Sequence, residues 1–212
     1  MSRQAMRAVG FFFLCIWLAG VVSAADPAAE AMKQLKTSID RVLEVLNDKE
    51  LAKPEHEADR RKSITEIIKS RFDFEEMAKR AMSRHWKDQT PEQAKSFVDL
   101  FTELLSASYI GKIEAYTDEN VLYHDAMKKG PYIWIKTTIK GKDVNVPVEY
   151  RMFSRDGEWF VYDVVIEEVS LVSTYRDQFN QTISRESYDA LVKKLQNKLN
   201  EIEALEKAGK PA

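Results

Sequence analysis

Up to about residue 120 the apolar positions recur every three or four residues; beyond it they recur every second one. The first period lays side chains along one side of a helix, the second along one face of a strand. "DPAAEAMKQLKTSIDRVLEVLN" reads as a first helix, with Asp26 as its cap, Pro27 in its first turn, and an apolar stripe of Met32, Leu35, Ile39, Val42, Leu43 and Leu46. A break around Lys53-Pro54 precedes a second helical stretch through Ile64, Ile67 and Ile68, and "DFEEMAKRAMSRHW" is a third. "TPEQ" then opens a long helix: Thr90 caps it, Pro91 takes the first position and Gln93 completes a capping box. That helix carries Phe97, Leu100, Phe101, Leu104, Leu105 and Tyr109 on one broad face, which requires a large apolar partner.

Strands are expected near 121–128, 132–140, 143–153 and 158–168, followed by helices at about 170–182 and 187–206. The last helix presents Leu191, Leu195, Leu199 and Ile202 on one side. "KGKD" puts Gly141-Lys142 at the centre of a two-residue II′ loop, and "RDGE" puts Asp156-Gly157 in a I′ loop. These turns set a register in which Ile139 faces Val144, Ile135 faces Val148, Ile133 faces Tyr150, Met152 faces Val161 and Val148 faces Val165. One sheet face then collects Ile133, Ile135, Ile139, Val144, Val146, Val148, Tyr150, Met152, Val161 and Val165. The other carries Tyr132, Trp134, Lys136, Glu149, Arg151, Phe160 and Tyr162, with Arg151 stacked between two tyrosines. The apolar face is either an ordinary core or the wall of a cavity. The stripe from Val144 to Met152 spans roughly 26 Å at about 3.3 Å per residue, against roughly 15 Å for half a bilayer's hydrocarbon core.

The N-terminus changes the compartment. Arg3 and Arg7, the apolar run "FFFLCIWLAGVV" and the small residues of "SAAD" make the three-part pattern of a secretory signal peptide over residues 1–24. Its apolar run is too short to span a bilayer, which needs about 20 residues. Its removal leaves 30 basic and 34 acidic residues, a net charge of −4, and no cysteine. An exported chain without disulfides suits the periplasm of a Gram-negative bacterium. Residues 25–206 then form one domain, with 207–212 a disordered tail. Nothing in the charge balance suits nucleic acid. His56, His85 and His124 are scattered, so a metal site is not expected, and no nucleophile elbow or phosphate-cradling loop is present. The reading is of a protein that is not an enzyme and carries no cofactor.

"RMFSRDGEWFVYDVVIEEVSLVSTYRDQF", residues 151–179, resembles the signature of the periplasmic phospholipid-shuttle family of the Mla pathway, also called toluene-tolerance auxiliary proteins. Its most specific part runs from Tyr162 to Phe179, and "RFDFEEMAKRAMSRHW" and "TPEQAKSFVDLFTELLSASYIGKIEAY" fit the family's helical half. Glu168 stands where that family has a small residue, often Gly, and Ser173-Thr174 where a more Asn-like pair is expected. The resemblance implies a single α+β domain, helices wrapped around a strongly twisted four-stranded antiparallel sheet enclosing an apolar cavity, similar to nuclear-transport-factor-like cones. It implies a monomeric carrier whose cargo is glycerophospholipid. Its implied partners are an inner-membrane substrate-binding ring of an ABC transporter and an outer-membrane lipoprotein–porin complex, and its role is to maintain outer-membrane lipid asymmetry. On that reading the ten sheet residues named above form one wall. Phe97, Phe101, Leu104, Leu105 and Tyr109 supply the helical wall, with Val169, Leu171, Val172, Tyr175 and Phe179 at the strand-to-helix junction. Asp at Val148 or Val165 is expected to abolish lipid retention. Two rivals stand beside it: an isomerase using Tyr150 and Asp163, cross-strand neighbours in this register, in a cone-shaped pocket, and a periplasmic adaptor with a filled core.

Overall fold

The computed structural model describes residues 26–115, 120–141 and 144–208. The leader expected over residues 1–24 lies outside them, as does most of the tail. Helix α1 (Pro27–Leu46) is capped by Asp26, whose side chain accepts from the Ala28 N–H at 3.0 Å. It is followed by a short 3₁₀ turn (Pro54–His56), α2 (Glu57–Arg71) and α3 (Phe74–Met82). The third helix stops at Met82 rather than running on to Trp86: Ser83 takes a positive φ of 53°, and a 3₁₀ segment (Ser83–Asp88) replaces the last turn. Helix α4 (Pro91–Glu114) starts with both halves of the Thr90–Gln93 capping box in place.

The sheet follows: β1 (Asn120–Lys129), β2 (Tyr132–Lys140), β3 (Asn145–Arg155), β4 (Glu158–Ile166) and a two-residue β5 (Val169–Ser170), antiparallel in the order β1-β2-β3-β4-β5. It has five strands, not four, because the chain turns back on itself after Ile166 before entering α5 (Leu171–Arg185) and α6 (Tyr188–Lys207). That return uses Glu167 and Glu168 at φ 48° and 69°, a left-handed pair that glycine fills most easily.

The β2–β3 register differs from the one expected. Ile139 pairs with Val146, Ile135 with Tyr150 and Ile133 with Met152, a slip of two residues, because the hairpin closes one position later than expected, with Gly141 N–H donating to the Val144 carbonyl (3.1 Å). A slip of two keeps every side chain on its face. The β3–β4 hairpin does turn at Asp156-Gly157, both at positive φ, and Met152 does face Val161. Beyond that pair Tyr162 is an extra residue on β4: Arg151 pairs with Asp163, Tyr150 with Val164, Glu149 with Val165 and Val148 with Ile166. This bulge exchanges the two faces of β4 from there on.

Two large apolar assemblies result. One is helical: Met77, Met82, Phe97, Phe101, Leu104, Val172, Phe179, Leu191 and Leu199 are buried together among α3, α4, α5 and α6. The other sets the sheet against α1, where Ala31 and Leu35 meet Ile133, Ile135, Met152 and Val161.

Candidate functional site

Between the sheet and α1, α2 and the second half of α4 the packing does not close. A cavity of about 420 Å³ remains, in the range of small-molecule pockets. Helix α1 contributes Leu35, Ile39, Val42, Leu43 and Leu46; α2 and its C-terminal extension contribute Ile67, Ile68, Arg71 and Phe72; α4 contributes Leu105, Tyr109, Ile110 and Ile113. The sheet supplies Val121, Ile139, Val146, Val148, Tyr150, Val164 and Ile166. The wall is overwhelmingly aliphatic, and its few polar side chains are Ser38, Thr65, Arg71, Ser106, Tyr109, Lys112 and Tyr150. A void lined this way has few partners for water and takes an apolar occupant in preference.

The void has a mechanical basis. Arg71 fixes its floor: Nε donates to Ser38 Oγ (3.2 Å), while Nη1 donates to Gln34 Oε1 (2.9 Å) and the Trp159 carbonyl (2.5 Å). Gln34 Oε1 also accepts from the Trp159 N–H (2.9 Å), so α1, α2 and β4 are held at set distances. At the other end Glu114 takes Arg60 Nε (3.0 Å) and Arg61 Nε (2.9 Å), and Arg61 reaches Glu206 (3.2 Å), tying α2 to α4 and α6. These bonds fix the spacing of α1, α2 and β4 at one end of the cavity and of α2, α4 and α6 at the other. Phe72 and Phe74, stacked with centroids 6.1 Å apart, separate the cavity from an open polar cleft that holds Lys69, Asp99 and Arg155.

Of the expected wall residues, Leu105, Tyr109, Ile139, Val146, Val148, Tyr150 and Leu171 do line this cavity. Ile133, Ile135, Met152 and Val161 lie on the expected sheet face but lower down, packed solidly against α1. Phe97, Phe101, Leu104, Val172, Tyr175 and Phe179 belong to the helical assembly, where their rings and branches fill one another's space. Val144 and Val169 are not wall residues: they are 62% and 61% exposed, Val144 because the strand begins at Asn145 and Val169 because β5 is the sheet's edge. Val165 is buried on the opposite face, placed there by the bulge, and Val164 and Ile166 take the cavity positions instead. Asp in place of Val165 therefore would not reach the cavity.

The same bulge dismantles the Tyr150–Asp163 pair. Asp163 pairs with Arg151, accepts from Arg151 Nη1 (3.2 Å), Ser170 Oγ (2.7 Å) and the Val172 N–H (3.0 Å), and so anchors the start of α5. Tyr150 faces the cavity opposite Val164. The cation stacked between tyrosines is Arg80, 5.2 Å from the Tyr132 ring centre and 4.0 Å from that of Tyr162, whereas Arg151 covers Trp134 at 4.3 Å. Among the described residues no group of three or more His, Cys, Asp or Glu could hold a metal, and no helix is long and apolar enough to cross a membrane.

The main omission from the sequence reading is α1 and α2. The stripe of Ile39, Val42, Leu43 and Leu46 was plain, but nothing in a stripe says which partner it meets. The signal available was chemical: apart from Ser38, α1 offers the cavity only aliphatic side chains, while the first half of α4 offers aromatic ones that pack among themselves.

Fold and site together define a class: an α+β domain whose twisted antiparallel sheet and helices enclose an aliphatic cavity. The family model described as "MlaC protein" matches residues 36–197, well over half of the chain, and the chain belongs to that family. It is 23% identical over 123 residues to the intermembrane phospholipid transport system binding protein MlaC of Haemophilus influenzae, covering 55% of this chain and 58% of that one. It is 24% identical over 130 residues to the toluene tolerance protein ttg2D of Pseudomonas putida, covering 60% of each. The chain thus spans about 60% of the length of the curated relatives it matches. Among solved structures it is similar to the phospholipid-binding protein of Ralstonia solanacearum in complex with a phospholipid at 1.53 Å, with a TM-score of 0.73 and 25% identity over 82% of this chain and 99% of that one.

Proposed function

We propose that the protein is a periplasmic carrier that takes glycerophospholipid acyl chains into the cavity between sheet and helices. On this reading it moves lipid between an inner-membrane substrate-binding ring of an ABC transporter and an outer-membrane lipoprotein–porin complex, maintaining outer-membrane lipid asymmetry without covalent chemistry. The observation that carries it is the aliphatic cavity of about 420 Å³ between sheet and helices; the likeness to a protein solved with a phospholipid supports it. The signal-peptide pattern of residues 1–24 supports the compartment.

The energetics suit the task. A sixteen-carbon chain withdrawn from a bilayer exposes apolar surface worth roughly 12 kcal/mol at about 0.8 kcal/mol per methylene. A carrier must replace the bilayer with a wall of similar quality. Aliphatic side chains do so without demanding one chain length or pattern of unsaturation, and the exchange stays reversible because both phases are alike. Mass spectrometry of an organic extract of the purified protein tests the reading. Stoichiometric glycerophospholipid is expected, with its amount greatly reduced in Val148→Asp. A folded protein that carries no lipid and acquires none from vesicles would overturn it.

A further inference from the structure

Two cations are found among the described cavity residues, Arg71 and Lys112, and their situations are opposite. The Arg71 guanidinium is spent on Ser38, Gln34 and the Trp159 carbonyl. Lys112, in the last turn of α4, is exposed at the cavity's edge, and no carboxylate among the described residues lies within ion-pair distance of its ammonium. The nearest acid along the helix, Glu114, is claimed by Arg60 and Arg61 and does not compete for it. The Lys112 Nζ lies 5.0 Å from the ring centre of Tyr109, one turn back on the same helix face. Tyr109 lines the same cavity; burial pushes its phenol above the usual range, so the hydroxyl keeps its proton, and it has no hydrogen-bond partner among the described residues. An ammonium and a hydroxyl with no hydrogen-bond or ion-pair partner among the described residues thus stand together where the apolar wall meets water.

We propose that Lys112 and Tyr109 form a phosphate subsite at the cavity mouth. If the carrier reading above holds, the occupant is the phosphodiester of the lipid headgroup, and the apolar tails continue inward past Ile110. The shared chemistry is a tetrahedral phosphate, which free inorganic phosphate also offers. The C-terminal end of α4 is the negative end of the helix, which holds the ammonium in place but repels an anion from the backbone. The phosphate therefore meets the tip of Lys112 beyond the helix end. There, beside a low-dielectric wall, charge-assisted hydrogen bonds are stronger than in open water.

The test uses purified protein equilibrated with vesicles holding equal amounts of dioleoylphosphatidylglycerol and dioleoylglycerol, which share tails and differ in the phosphate headgroup. Lipid bound to the re-isolated protein is then quantified by mass spectrometry. Wild type is expected to favour the phospholipid about tenfold, the low end for a hydrogen bond to a charged group. Lys112→Ala is expected to bring the ratio close to one with thermal unfolding of the lipid-free protein unchanged; Lys112→Arg restores most of the preference, and Tyr109→Phe falls between. Millimolar inorganic phosphate that erodes the wild-type preference but leaves Lys112→Ala unaffected supports a subsite open to free phosphate as well. Phosphate without effect on wild type, with the preference still lost in Lys112→Ala, supports a subsite occupied by the headgroup alone. A wild type that binds both lipids equally, or a Lys112→Ala variant that keeps the wild-type ratio, overturns the proposal. Failure of wild type to bind either lipid sinks the carrier reading instead.

Discussion

The two halves of α4 do different work with similar apolar content. Its first half, with Phe97, Phe101 and Leu104, meets Tyr175, Phe179, Leu191 and Leu199 in an assembly where rings touch edge to face at 5.1 to 5.6 Å and little space is left. Its second half, with Leu105, Tyr109, Ile110 and Ile113, looks across a void at Ile39, Leu43, Val146 and Ile166. Burial does not separate the two. What separates them is what lies opposite: α5 and α6 close on the first half, whereas the second half faces a gap bordered by α1, α2 and the sheet, with Arg71 joining α1 and α2 to β4 and Glu114 joining α4 to α2. A hydrophobic stripe tells that something apolar lies opposite, and not whether protein fills that space.

The sharpest way to break this contrast is to delete side chains on each side. Phe101→Ala removes a fully buried ring and is expected to cost about 3–5 kcal/mol in denaturant unfolding. Ile39→Ala, which trims a wall already facing empty space, should cost only about 1 kcal/mol in the lipid-free protein, since much of its packing is missing to begin with. Equal losses would mean that the cavity wall is as tightly packed as the core.

Enlarging side chains gives the next effect in size. Leu104→Phe overpacks the helical assembly and should cost about 1–3 kcal/mol. Val148→Phe grows into the void and should leave stability unchanged or higher while displacing bound lipid, read by thermal unfolding together with lipid extraction. A strongly destabilised Val148→Phe would contradict the void.

A smaller effect lies in the turn between β4 and β5. Glu168 occupies a left-handed conformation at φ 69° where the family resemblance implies a small residue, often Gly, and left-handed backbone costs a residue with a Cβ about 1 kcal/mol. Glu168→Gly should stabilise the protein by that order in chemical denaturation, without altering lipid content.

The least effect at neutral pH concerns Tyr175, packed in the helical assembly with its phenol pushed up to about 12, chiefly by burial and further by Tyr109. The folded state thus holds this proton above the pH at which an unfolded tyrosine, near 10, releases it. Its contribution to stability is full below about pH 10 and is lost as pH rises toward 12. Unfolding free energy followed from pH 9 to 12 should fall in that window, with a shallower fall in Tyr175→Phe; an identical slope in the variant would remove Tyr175 as the cause.

How much of this was legible in the chain follows from period and parity. The helices announced themselves through caps such as Asp26 and Thr90. The sheet faces on β2 and β3 survived a misread loop at Gly141, because a shift of two residues preserves parity. The expected faces of β4 did not survive the bulge at Tyr162, since a single extra residue changes parity and leaves no period of its own. One clue was present: strict alternation from Val161 would have put Asp163 on the apolar wall, a charge with no partner there, and moving the parity by one replaces it with Val164 and Ile166. The site was less legible than the fold. Aromatic bulk drew the expected lining toward Phe97 and Phe101 on the helical wall and Phe179 at the junction, but large rings at contact spacing are what fills a core.

The most direct test of which half holds cargo is a methyl-labelled NMR sample of the protein loaded with phospholipid carrying ¹³C acyl chains. Nuclear Overhauser contacts are expected from acyl methylenes to the methyls of Ile39, Leu43, Val146, Val148, Val164 and Ile166, and none to Leu104, Val172 or Leu191. Contacts confined to the second set, or no contacts in a protein proven to carry lipid, would contradict the assignment of the cavity.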